Sequence, residues 1–178
     1  MTCIVGVVEG DTVWMGGDSA GVSGWDLTVR ADQKVFRNGA MIFGFTTSFR
    51  MGQLIRYSLS IPEHDACMDT DKYMATAFID AVRKCLSEKG FAKKTNEQEE
   101  GGDFLVGYKG RLFHIYSDYQ VGISVDGYDA CGCGSPYALG ALYASTQMKG
   151  RKRIELALRA AEHGSAGVRS PFHIEAMK

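Results

Sequence analysis

Through the first 45 positions the apolar residues come in short β-branched blocks broken by glycine turns, and beyond them the spacing becomes helical. Residues 2 to 8 (TCIVGVV) and 12 to 18 (TVWMGGD) flank Glu9-Gly10-Asp11, which predicts a hairpin. A turn centred on Gly10 sets Thr2 opposite Asp18, to within one residue of register. A second hairpin is predicted where KVFR (34 to 37) and AMIFGF (40 to 45) flank Asn38-Gly39. A two-residue Asn38-Gly39 turn would place Lys34 against Phe43, with Gly44 beside it.

Met74, Ala77, Phe78, Ala81, Val82 and Cys85 recur at helical period and predict a core-facing helix over 71 to 89, capped at Thr70 or Asp71 and stopped by Gly90. SFRMGQLIRYSL (48 to 59) predicts a shorter helix, and the polar AKKTNEQEEGGD (92 to 103) an exposed, mobile connection. Strands resume with FLVGY, RLFHIY and a segment ending in DACGC. Ser135-Pro136 then opens a helix over 135 to 147, with serine as cap and proline in the first turn. RKRIELALRAAEHG gives the last helix, closed by Gly164, and VRSPFHIEAM an edge strand. This order predicts an α+β fold, a four-layer αββα sandwich of two stacked antiparallel sheets flanked by helices, and not an alternating parallel sheet.

Composition narrows the function classes. A chain of 178 residues, 45% hydrophobic with 22 glycines and 3 prolines, suits one domain over 1–178. Its 20 basic and 21 acidic residues are spread along the chain, so nothing points to nucleic acid or an anionic membrane as partner. Five cysteines, an odd number, and the lack of any leader pattern ahead of Thr2 predict reduced thiols and a cytoplasmic location. Cys131-Gly-Cys133 has no second pair and reads as buried cysteines, and His64, His114, His163 and His173 show no ligand spacing. No metal and no cofactor is expected. RKR at 151 to 153 reads as a solvated helix start.

Thr2, Gly17-Asp18, Lys34, the GF of IFGF and GCGSPYALGAL together resemble the N-terminal-nucleophile hydrolases of the proteasome β-subunit type, most of all the HslV-like peptidases. The spacings from Thr2 to Asp18, from Asp18 to Lys34, and on to the glycine-rich Ser-Pro-Tyr-Ala helix start carry the resemblance. It spans nearly the whole chain, including the tail ALRAAEHGSAGVRSPFHIE.

The resemblance implies a threonine endopeptidase. A threonine hydroxyl needs a base, and a first-residue threonine can use its own α-amine, which titrates near ~8 in model peptides. Methionine is generally stripped before so small a second residue, so Thr2 is expected to become the first residue without a propeptide. Lys34, as a cation, would lower the hydroxyl pKa and Asp18 would hold it charged and in place. Without Thr2, Asp18 and Lys34 would read as an ordinary surface ion pair. The backbone N–H of Gly44 is the expected oxyanion donor, and Cys133 stands where the family usually has serine. Ser165 replaces an aspartate of the proteasome subunits, a loss that HslV-like peptidases share. Substrate is expected as an added strand between Ala20-Gly21-Val22 and Gly44 to Thr46, with Ile42 flooring the pocket for an apolar side chain next to the cut. Expected partners are a polypeptide substrate, copies of the chain in a homo-oligomeric ring, and an ATP-dependent unfoldase. Two other readings share the fold: an amidase acting on a small molecule, and a non-catalytic ring subunit.

Overall fold

Both amino-terminal hairpins form, and both turn on a different residue from the one the sequence suggested. In the computed structural model, which describes residues 1–95 and 98–178, β1 (Ile4–Glu9) pairs with β2 (Thr12–Gly17) so that Glu9 faces Thr12 across Gly10-Asp11. Cys3, not Thr2, therefore lies level with Asp18 and accepts its N–H at 3.3 Å. After the small hairpin of β3 (Ala20–Ser23) and β4 (Asp26–Val29), β5 (Val35–Asn38) pairs with β6 (Met41–Phe45) across Gly39-Ala40. The register is two residues from expectation, and Lys34 sits against Phe45, whose N–H donates to the Lys34 carbonyl at 3.1 Å. The physical reason is common to both turns. Glycine takes the first central position, where φ is positive (+61° at Gly10, +55° at Gly39), and not the second.

Helix α1 (Phe49–Tyr57) is capped by the Ser48 hydroxyl, which accepts the Arg50 N–H at 3.1 Å. The long helix begins one residue earlier than expected, because the Asp69 carboxylate caps the N–H groups of Asp71 and Lys72. It runs as α2 (Thr70–Tyr73), a π turn (Met74–Phe78) and α3 (Ile79–Glu88), with Gly90 at φ +70° just past its end. The segment 92 to 103 is not a loop throughout: β7 (Lys93–Thr95) and β8 (Gln98–Glu100) pair antiparallel, while residues 96 and 97 of the expected connection lie outside the described residues. There follow β9 (Phe104–Tyr108), β10 (Arg111–Ile115), β11 (Val121–Gly122), β12 (Tyr128–Cys131), α4 (Ser135–Ala144), α5 (Gly150–Gly164) and β13 (His173–Met177). The cap of α4 is Gly134, with Ser135 already helical, and the helix stops three residues short of 147.

The strands form two main antiparallel sheets, β12-β1-β2-β13 and β11-β10-β9-β6-β5. Three apolar layers show how they stack. Val5, Val7, Ala157, Leu158 and Ala161 join the first sheet to α4 and α5. Ile4, Met15, Val35, Ile42 and Leu105 fill the space between the sheets. Phe43, Phe78, Val82, Phe104 and Phe113 bury α1 and α3 against the second sheet. The result is the αββα sandwich expected from the sequence, with β13 as the expected edge strand on β2. Each buried large apolar side chain contributes roughly 1.5–3 kcal/mol. No helix among the described residues is long and apolar enough to cross a membrane.

Candidate active site

Antiparallel pairing brings the start of β1 to the end of β2 and the end of β12, and the start of β5 to the end of β6 and the start of β9. Thr2, Asp18, Cys133, Lys34, Thr46 and Asp103 are the residues just beyond those strand ends, so polar side chains from six segments converge at one end of the sandwich. Ladder hydrogen bonding stops there, which leaves backbone groups available.

Lys34 is the centre of the constellation. Its Nζ donates to Thr2 Oγ1 and to Asp18 Oδ1, each at 2.8 Å. Thr2, Asp18 and Lys34 are only 5%, 2% and 1% exposed, so this is a buried pair and not a surface ion pair. Asp18 also accepts the N–H groups of Cys3 (3.0 Å), Ala20 (2.8 Å) and Arg169 (3.2 Å), which fixes the carboxylate on all sides. Burial pulls the Lys34 ammonium below its ordinary pKa, and the charge of Asp18 works against that pull. The Cys3 thiol is pushed far up by burial and by Asp18, so it stays protonated beside the threonine.

The Thr2 N–H donates to Cys133 Sγ at 3.3 Å, and the Cys133 thiol donates weakly to the Thr2 carbonyl at 3.5 Å. Cys133 is exposed and lies 3.4 Å from Ser165 Oγ, whereas Cys131 is buried, so only one of the two cysteines fits the buried reading. Gly132 has φ +93°, and a Cβ there would run into the Thr2 carbonyl oxygen, so this approach requires glycine. In the chain carrying Met1, the Thr2 hydroxyl donates to the Met1 carbonyl.

A cleft beside Thr2 is lined by Met1, Val22, Phe45, Thr46, Thr47, Ser48 and Phe49. Of the expected substrate residues, Val22 and Thr46 reach it, and Ala20 and Gly21 lie on β3 leading to Val22. Ile42 and Gly44 do not. Ile42 is buried between the sheets with Val13 and Leu105, and a Cβ on Gly44 would meet Ile4 and Met15 in the same layer. The two-residue register shift is the cause: β6 continues through Phe45, so the strand end that opens on the cleft comes later, at Thr46-Thr47. Thr47 has φ +59°, strained for a β-branched residue, and its N–H makes none of the hydrogen bonds among the described residues.

A second charged group lies behind the cleft. His114 on β10 contacts Asp103 Oδ1 through Nε2 at 2.6 Å and Asp129 Oδ2 through Nδ1 at 2.9 Å. Burial opposes its charge, but the two carboxylates outweigh that and raise its pKa to about 9. Cys131 adds a thiol, and donor atoms of Asp103, His114 and Cys131 lie within 4.8 Å of one another. Both imidazole nitrogens are engaged by carboxylates and burial pushes the Cys131 thiol pKa up, so the groups form a hydrogen-bonded ion cluster. Sequence spacing did not reveal it, because residues 103, 114 and 129 sit on three different segments that only the folded sheets bring together.

No family model matches the sequence, and neither does any curated protein. Solved structures match in shape over nearly the whole chain. BPH of Thiobacillus denitrificans in complex with epoxomicin superposes with a TM-score of 0.82 at 19% identity, covering 99% of this chain and 98% of that one. HslV of Trypanosoma brucei superposes with a TM-score of 0.68 at 20% identity, over 99% of both chains. Anbu, an ancestral β-subunit from Yersinia bercovieri, gives 0.69 at 14% identity, over 99% of this chain and 81% of its own. The resemblance read from Thr2, Asp18 and Lys34 is thereby shown in the architecture: the chain has the fold of the proteasome-type N-terminal-nucleophile hydrolases.

Proposed function

We propose that the chain, once Met1 is removed, is a threonine peptidase in which Thr2 Oγ1 is the nucleophile and the Thr2 α-amine the base. The observation that carries this reading is the buried Lys34 Nζ, 2.8 Å from both Thr2 Oγ1 and Asp18 Oδ1. Loss of Met1 converts the Thr2 nitrogen from an amide, whose lone pair is delocalised, into an amine able to take a proton. It also clears the Met1 side chain from the cleft.

The chemistry then has two halves. Thr2 Oγ1 bonds to the scissile carbonyl carbon while its proton passes to the amine, and the amine returns that proton to the leaving nitrogen as the C–N bond breaks. An ester on Thr2 remains. Water attacks this ester with the amine as base, the acid product leaves, and the hydroxyl is restored. Lys34 stabilises negative charge on Oγ1, Asp18 orients Lys34, and Cys133 Sγ holds the amine. The Thr47 N–H, which makes none of the hydrogen bonds among the described residues, is assigned the oxyanion role first expected of Gly44.

Val22, Phe45 and Phe49 give the cleft an apolar wall in place of Ile42, where a charged substrate side chain would go uncompensated. An apolar residue before the scissile bond is therefore favoured. Exposed Trp25 and Val29 on the β3-β4 hairpin and Tyr143 on α4 support a ring built from copies of the chain, with unfolded polypeptide as substrate and an ATP-dependent unfoldase to deliver it.

The test is mass spectrometry with a threonine-directed electrophile, or with epoxomicin, which the Thiobacillus BPH structure holds. A mass lacking Met1, one adduct on Thr2, and loss of adduct and turnover in Thr2→Ala are expected. Retained Met1 with no adduct, or labelling on Cys133, would sink the assignment, and turnover of small amides with none of peptides would replace peptidase by amidase.

A further inference from the structure

We propose that His114 is a positioning residue for the cleft: as an imidazolium between Asp103 and Asp129 it holds the Thr46-Thr47 segment and the Cys131-Cys133 segment in fixed relation to each other. Each arm of the bridge can be followed to the nucleophile. On one side, the Asp103 carboxylate takes His114 Nε2 at 2.6 Å, while the backbone of the same residue grips the cleft wall. Its carbonyl accepts the Thr46 N–H at 3.0 Å and the Thr46 hydroxyl at 2.8 Å, and its N–H donates to Thr47 Oγ1 at 3.1 Å. On the other side, the Asp129 carboxylate takes His114 Nδ1 at 2.9 Å, and its second oxygen accepts the Ala130 N–H at 2.7 Å. That strand runs on through Cys131 and Gly132 to Cys133, which touches the Thr2 nitrogen. Asp129 belongs to the first sheet and Asp103 borders the second, so His114 ties the two sheets together at the active end.

The groups facing the imidazole are Asp103 ahead of β9, Asp129 and the protonated Cys131 on β12, and Tyr116, whose ring stacks on it at 4.1 Å. With two carboxylates and one imidazole, a neutral ring would leave one carboxylate facing the acceptor nitrogen, and their repulsion would push the two segments apart. The charged form satisfies both. His114 reaches neither Thr2 nor the cleft, so its effect passes through the segments it holds.

The catalytic readout rests on the peptidase reading, so the experiment pairs it with one that does not. In the full chain, His114→Gln and Asp103→Asn are compared with wild type by deuterium exchange of residues 44–50 and 131–134, and by kcat and KM on a fluorogenic peptide. Asp103→Asn keeps every backbone contact to Thr46 and Thr47. In His114→Gln, exchange in both segments is expected to rise about 10-fold and kcat to fall about 10-fold, with KM changed less than about 2-fold and the β1-β2 hairpin unaffected. Asp103→Asn is expected to move both readouts about 3-fold in the same directions, and it decides the matter alone if His114→Gln does not fold. Exchange in both segments within about 2-fold of wild type would overturn the proposal, whatever the turnover. If the wild-type chain hydrolyses no peptide, the peptidase reading fails and the exchange result alone decides the clamp. A stoichiometric transition metal in the purified protein, with the same loss of protection on chelation, would overturn the imidazolium bridge in favour of a metal-held one.

Discussion

Two buried charged groups serve the same end of the sandwich, and their pKa values shift in opposite directions although burial penalises the charge of both. Lys34 has one carboxylate partner, Asp18, which also spends itself on three backbone N–H groups; desolvation wins and the ammonium is depressed. His114 has two carboxylates at hydrogen-bond distance, and they overcome the same penalty, raising the imidazole to about 9. The number of acceptors committed to each cation, not its depth, decides the direction. The consequence is a division of labour. The cation that touches Thr2 Oγ1 is the one that burial depresses, and the cation that holds the walls is the one its carboxylates raise.

The strongest way to break this contrast is Lys34→Ala. Turnover should fall about 10³-fold or more, because the change removes the donor to Thr2 Oγ1. Because the ammonium is buried, the same variant should also lose stability. Asp18 loses its cation, and denaturant melts should show a loss of about 3 kcal/mol, held down by the three amides that remain on the carboxylate. Asp18→Asn should be milder in turnover.

The pH dependence of stability separates the two cations next. His114 binds its proton more tightly in the folded state, so its contribution is complete below pH 6.5 and is lost as pH rises through about 9. The loss should amount to about 3 kcal/mol. Lys34, depressed by burial, has the opposite sign: charging it costs the folded state, and that cost builds as pH falls from the ordinary lysine range to its depressed folded value and is fully present below it. Melting temperatures of wild type and His114→Gln should therefore converge between pH 6.5 and 9.5, and parallel curves would refute the assignment.

A smaller effect concerns the wall that both cations steady. Phe45→Ala should lower kcat/KM for peptides with Leu or Phe before the cut by about 10-fold while Thr2 labelling persists. Smallest of all, Cys133→Ser should change turnover by less than about 3-fold, since a hydroxyl fills the place of the thiol and donates better to the Thr2 carbonyl.

Thr2, Asp18, Lys34 and Cys133 were legible because each follows or precedes a strand whose hydrophobic pattern is clear. The layers were legible for the same reason. Gly44 and Ile42 were misplaced by the turn. From sequence, Asn38-Gly39 predicts a turn with glycine second, and only the folded chain shows Gly39-Ala40 with glycine first. Two residues of register moved the cleft wall to Phe45, Thr46 and Thr47. The positive φ of Thr47 had no sequence signal, because a β-branched residue takes that conformation only when its surroundings impose it. His114 was invisible to spacing, since its partners are 11 residues before it and 15 after it in the chain.

The attachment of Thr2 and Asp18 to distant segments bears on the timing of synthesis. Thr2 is held by Cys133 and Gly134, and the Asp18 carboxylate by the N–H of Arg169. These contacts join residues 131 and 151 positions apart in the sequence. During synthesis Thr2 and Asp18 emerge before the segments that support them. Thr2 and the Asp18 carboxylate therefore lack these supports until the segments around residues 133 and 169 have also been made.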